Sequence, residues 1–329
     1  MPDFKLRRCD RCNKYHASYV VEDPQRGKIN LCTHCWNAEN RRLQPAATTA
    51  TVQSALANSP KKIPRLDRQI LLAHVLGQPR AWVLAHPEAP LTEAQTREWK
   101  AALAHLRRGD PLPYVLGRWE FYGLEFIVTP EVLIPRPETE LMVEQALSWL
   151  HARLGAGGAS ACRAVDVGCG SGCVAIALAA NTPGLQVTAV DLSPQALEVA
   201  RRNVELHGLA GRVTLVQADL LPQQPPIFDL ICANLPYIPR EKLDDLPVAH
   251  WEPPLALDGG PDGLALIRRL LRQTPAHLAP GGLLLLEIES SQGPAALLLA
   301  QEAFPRARVD LLQDLAGLDR LVRVELVSF

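Results

Sequence analysis

The chain carries almost no net charge, with 34 Lys and Arg against 35 Asp and Glu for a formal −1 over 329 residues. No global positive field therefore advertises nucleic acid or an anionic membrane as the partner. Long apolar runs are also missing: residues 173–180 and 283–286 fall far short of the ~18 residues that a membrane span needs. The opening octapeptide, Met1 to Arg8, lacks the apolar stretch of a secretory signal, so the expectation is a cytoplasmic chain. In that compartment eight cysteines read as metal ligands or core residues rather than disulfides. What is present suits a globular protein, since 47% hydrophobic and 21% charged residues suffice for a sizeable core, and the length suggests two domains.

Two Cys-x-x-Cys pairs, Cys9/Cys12 and Cys32/Cys35, lie nineteen residues apart at the N-terminus. Segments 17–22 and 28–31 read as short strands around the Asp23-Pro24-Gln25-Arg26-Gly27 turn. That arrangement predicts one structural zinc ion held by four thiolates, because so short a segment cannot build an adequate core. His16 and His34 are close enough to substitute as ligands, but with four cysteines at hand they are read as solvated. Lys5, Arg7, Arg8, Arg11, Lys14, Arg26 and Lys28 make the module basic, which offsets the charge of a four-thiolate site. Nucleic acid contact is expected, if anywhere, only here.

Composition then shifts along the chain. Residues 1–41 form the zinc-binding module and 42–58, rich in Ala, Thr, Gln and Ser, a linker. Residues 59–112 show helical spacing, as in Leu66, Ile70, Leu71, Ala73 and Leu76 before a Gly77 stop, and in Trp99, Leu103 and Leu106 after a Thr92 cap. That small helical domain could read a protein substrate. Residues 113–135 form a β-hairpin connector, and 136–329 alternate strand and helix. The strands expected are 164–167, 186–190, 213–217, 228–233 and 283–288, with helices from Arg136-Pro137-Glu138-Thr139-Glu140, Gly172 and Pro194 and near 264–272. Alternating β and α elements imply a doubly wound α/β fold with a parallel sheet. Strands at 306–312 and 320–327, joined only by a loop, should close it as an antiparallel hairpin, as in seven-stranded methyltransferases.

The chemistry rests on two motifs at strand ends. The loop Asp166-Val167-Gly168-Cys169-Gly170-Ser171-Gly172 has its third glycine one position earlier than the dinucleotide fingerprint. Its backbone N–H groups suit an anion at a helix N-terminus, here the carboxylate of S-adenosylmethionine. Asp191 closes the next strand, where a carboxylate accepts both ribose hydroxyls; the bland alternative is helix capping with Ser193. Asp219, with Leu220 beside it, ends the third strand as acceptor for the adenine amino group, or as a solvated turn residue. The second motif, Asn234-Leu235-Pro236-Tyr237, follows the fourth strand. The Asn234 side-chain oxygen and a carbonyl of Leu235 or Pro236 can each accept one N–H of a planar NH2 group, on whose flat face Tyr237 packs. Together the motifs predict methyl transfer from S-adenosylmethionine to an amide or amino nitrogen, by positioning rather than by a strong base. Cys169 and Cys173 read as small core-facing residues.

From about residue 60 onward the chain resembles the HemK family of peptide chain release factor glutamine methyltransferases. The resemblance is carried by residues 109–117, by Leu133 to Glu140, by the Gly168 loop, by Asn234 to Ile238, by Glu252 to Gly260, by Asp262 to Leu264 and by Asp314 to Arg320. It implies transfer to the N5 amide nitrogen of the glutamine in a Gly-Gly-Gln loop of a release factor. It also implies that Gly168, Cys169, Gly170, Ser171, Gly172, Asp191 and Asn234 hold the cofactor, with Asn234, Leu235, Pro236 and Tyr237 holding the glutamine. The chain departs from the family pattern at Leu235, usually Pro, at Glu289, usually Gly, and in its zinc module. A monomer is expected. The alternative is an enzyme methylating adenine or cytosine amino groups in RNA or DNA, since the Asn-x-Pro-aromatic motif is shared.

Overall fold

A computed structural model describes residues 9–12, 18–23, 27–32, 34–35, 50–154, 162–222 and 227–327. Outside these lie His16, most of the module's cations, the tip of its expected turn, residues 42–49 of the expected linker and the Gly/Ala/Ser loop at 155–161. The chain divides into two units, Met1–Arg107 and Arg108–Phe329.

In the first unit, β1 (Ser18–Asp23) and β2 (Gly27–Cys32) pair antiparallel with Ser18 opposite Cys32. From residue 50 onward the described residues form four helices: α1 (Val52–Ala57), α2 (Arg65–Leu76), α3 (Arg80–Ala85) and α4 (Glu93–Arg108). Helix α1 falls inside the segment expected to be linker. A reciprocal cap starts it, Ser54 N donating to Thr51 Oγ1 at 3.2 Å and Thr51 N to Ser54 Oγ at 2.8 Å. Val52 N then donates to the Ala89 carbonyl at 3.0 Å, which ties the helix to the loop before α4. Helix α2 stops at Gly77, whose φ of 62° is the left-handed conformation glycine adopts without strain. On α4, Trp99 and Leu103, one turn apart, are the buried residues.

The second unit opens with α5 (Leu112–Leu116) and the hairpin of β3 (Arg118–Phe121) and β4 (Leu124–Ile127), so the expected connector is part helix. A 3-10 turn at Pro137–Thr139 leads into α6 (Glu140–Leu154). Then come β5 (Arg163–Val167), α7 (Cys173–Asn181), β6 (Gln186–Asp191), α8 (Pro194–Leu206), β7 (Val213–Gln217) and β8 (Phe228–Ala233). The chain ends with α9 (Ala265–Gln273), β9 (Leu278–Glu287), α10 (Gly293–Ala303), β10 (Arg308–Gln313) and β11 (Asp319–Glu325). Strand β9 starts earlier than expected because it runs through Gly281-Gly282 with a register shift against β8 rather than breaking there. Helix α10 was not foreseen; Gly293-Pro294 reads as a breaker in sequence, yet proline suits a first helical turn, where its missing N–H has no partner to lose.

Seven strands form one sheet in the order β10-β11-β9-β8-β5-β6-β7, all parallel except β11, which runs antiparallel to both neighbours. Successive side chains on a strand point to opposite faces, so both faces must be apolar when both are covered. Ala164, Leu230, Cys232, Leu283 and Leu285 pack on one face with residues of α6, α7 and α8. Val165, Val167, Ile231, Leu284 and Leu286 pack on the other with residues of α9 and α10. Strand β5 lies between β6 and β8, so the loops after it diverge and open a crevice at the C-terminal strand ends, the usual ligand position in such sheets.

Candidate active site

A cleft of about 570 Å³ occupies that crevice. Gly168, Cys169, Gly170, Ser171, Asp191, Asp219, Leu220, Asn234, Leu235 and Pro236 all line it, so the structure brings the two sequence motifs together. Gly172 and Tyr237 are not lining residues. Gly172 stands behind the loop as the N-cap of α7, with φ 80° and an added Cβ only 3.3 Å from Ala200 Cβ.

The glycine loop is held in shape by its own N–H groups, those of Gly168, Cys169, Gly170 and Gly172 all donating within the protein. Gly168 N and Cys169 N both donate to the Val190 carbonyl, at 2.8 and 2.9 Å, which docks the turn on β6. Gly168 has φ 73°, and a Cβ there would lie 3.2 Å from Leu235 Cδ2, so the loop rests directly on the second motif. Asp191 Oδ2 accepts from Gly170 N at 2.8 Å and Oδ1 from Ser193 N at 2.9 Å. Burial pushes the Asp191 pKa up against those N–H bonds. Capping of α8 belongs to Ser193, whose Oγ accepts from Ala196 N at 3.1 Å. Asp191 thus anchors the loop and lines the cleft, while the cap of α8 is Ser193 and not Asp191. Asp219 is exposed, and its Oδ2 accepts from Arg269 Nη2 at 2.6 Å, so one of its oxygens is committed to a cation. Leu220 is buried at φ 68°, a left-handed conformation that costs a non-glycine residue about 1–2 kcal/mol.

The other end of the cleft is built from distant segments. Asn234 Nδ2 donates to Thr139 Oγ1 at 3.0 Å, across 95 positions of sequence. Gln292 Nε2 donates to the Tyr237 carbonyl at 2.8 Å, whereas no donor among the described residues is bonded to the carbonyls of Leu235 or Pro236. Burial raises the Tyr237 phenol to about 12, with the Glu287 charge adding to the shift. Arg136 Nη2 donates to both oxygens of Glu252, at 2.8 and 2.7 Å, and so pins Glu252 and the following residues 253–256, which wall the cleft, to the segment before α6. Burial raises the Glu252 pKa and the Arg136 guanidinium opposes it.

Sequence reading missed three groups here: Asp166, Thr139 and Glu287. Asp166 Oδ2 accepts from Ala175 N at 3.0 Å at the start of α7, and burial pushes its carboxyl up to about 7. Its only sequence signal is an acid ending a strand just before the glycines. Thr139 and Glu287 give no local signal, since their role arises from contacts across the fold.

In the first unit, Cys9, Cys12, Cys32 and Cys35 bring their sulfurs within 4.8 Å of one another. Tetrahedral Zn–S bonds of about 2.3 Å would need sulfur separations near ~3.8 Å, so the cluster suits a zinc ion with little adjustment. Cys35 N also points at Cys32 Sγ, 3.5 Å away. His34 is exposed.

Comparisons with known proteins agree with this architecture. The PrmC N-terminal domain pattern matches residues 49–117 and a methyltransferase domain pattern matches residues 164–247. Release factor glutamine methyltransferase of Bordetella pertussis is 41% identical over 266 residues, covering 79% of this chain and 94% of that protein. The Moorella thermoacetica protein of the same name is 41% identical over 279 residues, covering 82% and 96%. A solved protein-(glutamine-N5) methyltransferase (release factor-specific) from Alicyclobacillus acidocaldarius is 31% identical, over 61% of this chain and 99% of that one, with a TM-score of 0.38 that adds no argument of its own. On sequence identity and coverage, the chain belongs to the release factor glutamine methyltransferase family.

Proposed function

We propose that the protein methylates the side-chain amide nitrogen of the glutamine in the Gly-Gly-Gln loop of a translation release factor, in the cytoplasm. The observation that carries this reading is the pair of unengaged carbonyls at Leu235 and Pro236 beside Asn234, at the floor of a cleft whose far end is a glycine loop. When bound, S-adenosylmethionine supplies an electrophilic methyl group on a sulfonium. Gly168 to Gly172 and Asp191 would hold its methionyl carboxylate and ribose, with Asp219 and Leu220 at the adenine. Asn234 Oδ1 and one turn carbonyl would each accept an N–H of the substrate amide, which aims the nitrogen and weakens its conjugation with the carbonyl. Tyr237, which does not line the cleft, would support that turn from behind.

The four cysteines would hold one zinc ion in a structural role, since all four positions of a tetrahedral site are filled by thiolates. Labelled S-adenosylmethionine offered to purified release factor and to ribosomal RNA side by side tests the substrate assignment. Label in the release factor, lost when its Gly-Gly-Gln glutamine is changed, is expected; label in RNA alone overturns the reading in favour of a nucleic acid amino group.

A further inference from the structure

Glu287 ends β9 beside the end of β8, one residue beyond the Leu286–Ala233 pair, and is only 2% exposed. Its Oε2 has no hydrogen-bond partner, an unusual state for a buried carboxyl oxygen. The register sets Glu287 alongside Asn234, which follows Ala233, and both Thr139 and Asn234 favour the ionised form of its carboxyl. Thr139 accepts from Asn234, so its own hydroxyl hydrogen remains to be donated.

We propose that Glu287 is a positioning residue that fixes the orientation of Asn234 for methyl transfer. As a carboxylate it accepts from the Thr139 hydroxyl and attracts the Asn234 NH2 group. Both amide hydrogens of Asn234 are then turned away from the cleft, and Oδ1 is left facing it. A protonated Glu287 becomes a donor and removes that preference, so the wrong face of the carboxamide, an NH2 group, can meet the substrate NH2.

The charged and titratable groups around it bear on when this happens. Arg320 on β11 favours the ionised form, Glu138 in the turn before α6 opposes it, and Tyr237 stays neutral. Burial outweighs the rest and places the carboxyl at about 7. A raised carboxyl pKa means the orienting form predominates above that value and is lost as pH falls through it. Burial pushes Asp166 up to about 7 as well, so the Glu287 and Thr139 variants, and not the acid limb of the wild type alone, separate the two groups.

The proposal rests on the amide-transfer reading, so the test has one arm with substrate and one without. In the first, turnover on release factor at saturating cofactor should fall on the acid side with a midpoint near 7. Glu287→Gln should flatten that limb and lower kcat at pH 8 at least tenfold, with unchanged cofactor affinity by calorimetry. Thr139→Val removes one donor to the carboxylate, so the limb should move to higher pH. In the second, the Asn234 side-chain NH2 resonances, identified by their loss in Asn234→Ala, should titrate with the same midpoint in the substrate-free protein and not in Glu287→Gln. A wild-type enzyme inactive on release factor whose Asn234 signal still titrates would sink the substrate reading and leave this one standing. An Asn234 signal indifferent to pH, or an acid limb unmoved by both variants, would overturn it.

Discussion

The two ends of the cleft are built on different principles. The glycine-loop end is made largely of backbone: three glycines after β5 and one acid closing β6, tied together by N–H bonds to Val190 and Asp191. The amide end is made of side chains brought from far apart, Thr139 to Asn234 over 95 positions and Arg136 to Glu252 over 116. Backbone sites follow from the strand register alone. Side-chain sites exist only once the whole unit has packed, so damage there should cost chemistry and stability, while damage at the first end should cost cofactor affinity.

The largest expected effect is at the amide end. On the proposed assignment Asn234→Ala removes the acceptor that orients the substrate nitrogen, and loss of such an aligned group typically lowers kcat by ~10²–10³, or about 3–4 kcal/mol. Steady-state kinetics with saturating cofactor should show the loss in kcat, with the unfolding midpoint within a few degrees of wild type. Near-normal turnover would mean that the amide is held elsewhere.

Next comes the wall. Arg136→Ala leaves the Glu252 carboxyl, 2% exposed, without its cation, and stranding a buried charge of this kind costs about 3 kcal/mol. Denaturant unfolding should record that loss, and it should shrink as pH drops and Glu252 takes up a proton, because burial has already raised its pKa. A pH-independent loss would assign the damage to packing of the arginine stem instead.

Much of this was readable in the sequence for the same reason that the two ends differ. Strands 213–217 and 228–233 are readable to the residue because β-branched and apolar residues are bounded by polar turns, although only 228–233 is buried nearly throughout while 213–217 is a half-exposed edge strand. The glycine loop and Asp191 were readable because their spacing encodes adjacent strand ends. Thr139 and Glu287 were not, since a threonine in a 3-10 turn and an acid after four leucines carry no periodicity; only the sheet order puts them beside Asn234. Leu235, where the family pattern has proline, also makes sense only in the fold. It is 3% exposed and packs beneath Gly168, so its side chain supports the cofactor loop while its carbonyl stays available.

A smaller effect is expected from Asp191→Ala. It loosens the Gly170 turn and, on the proposed assignment, removes the acceptor for two ribose hydroxyls, which should weaken S-adenosylmethionine by roughly 2 kcal/mol, about thirtyfold in Kd. Calorimetry should detect this, while kcat at saturating cofactor changes severalfold at most. If kcat fell as far as in Asn234→Ala with Kd unchanged, the division of the cleft into a binding end and a chemical end would fail.

The smallest effect on catalysis should come from deleting residues 1–44, which removes the four-cysteine site and stops short of the Thr51 cap that starts α1. Among the described residues of that module Leu31 is the one buried besides Cys9, Cys32 and Cys35, so its folding free energy should come from the metal. The sheet, by contrast, has apolar cores on both faces and needs none. Metal analysis should find about one zinc per full-length chain and none after truncation. The truncated protein should bind S-adenosylmethionine with wild-type Kd and methylate isolated release factor at close to the wild-type rate. Chelation of the full-length chain should likewise leave cofactor affinity unchanged. Loss of cofactor binding on truncation would make the metal module part of the catalytic machinery, and the cleft would then depend on a third region as well as its two ends.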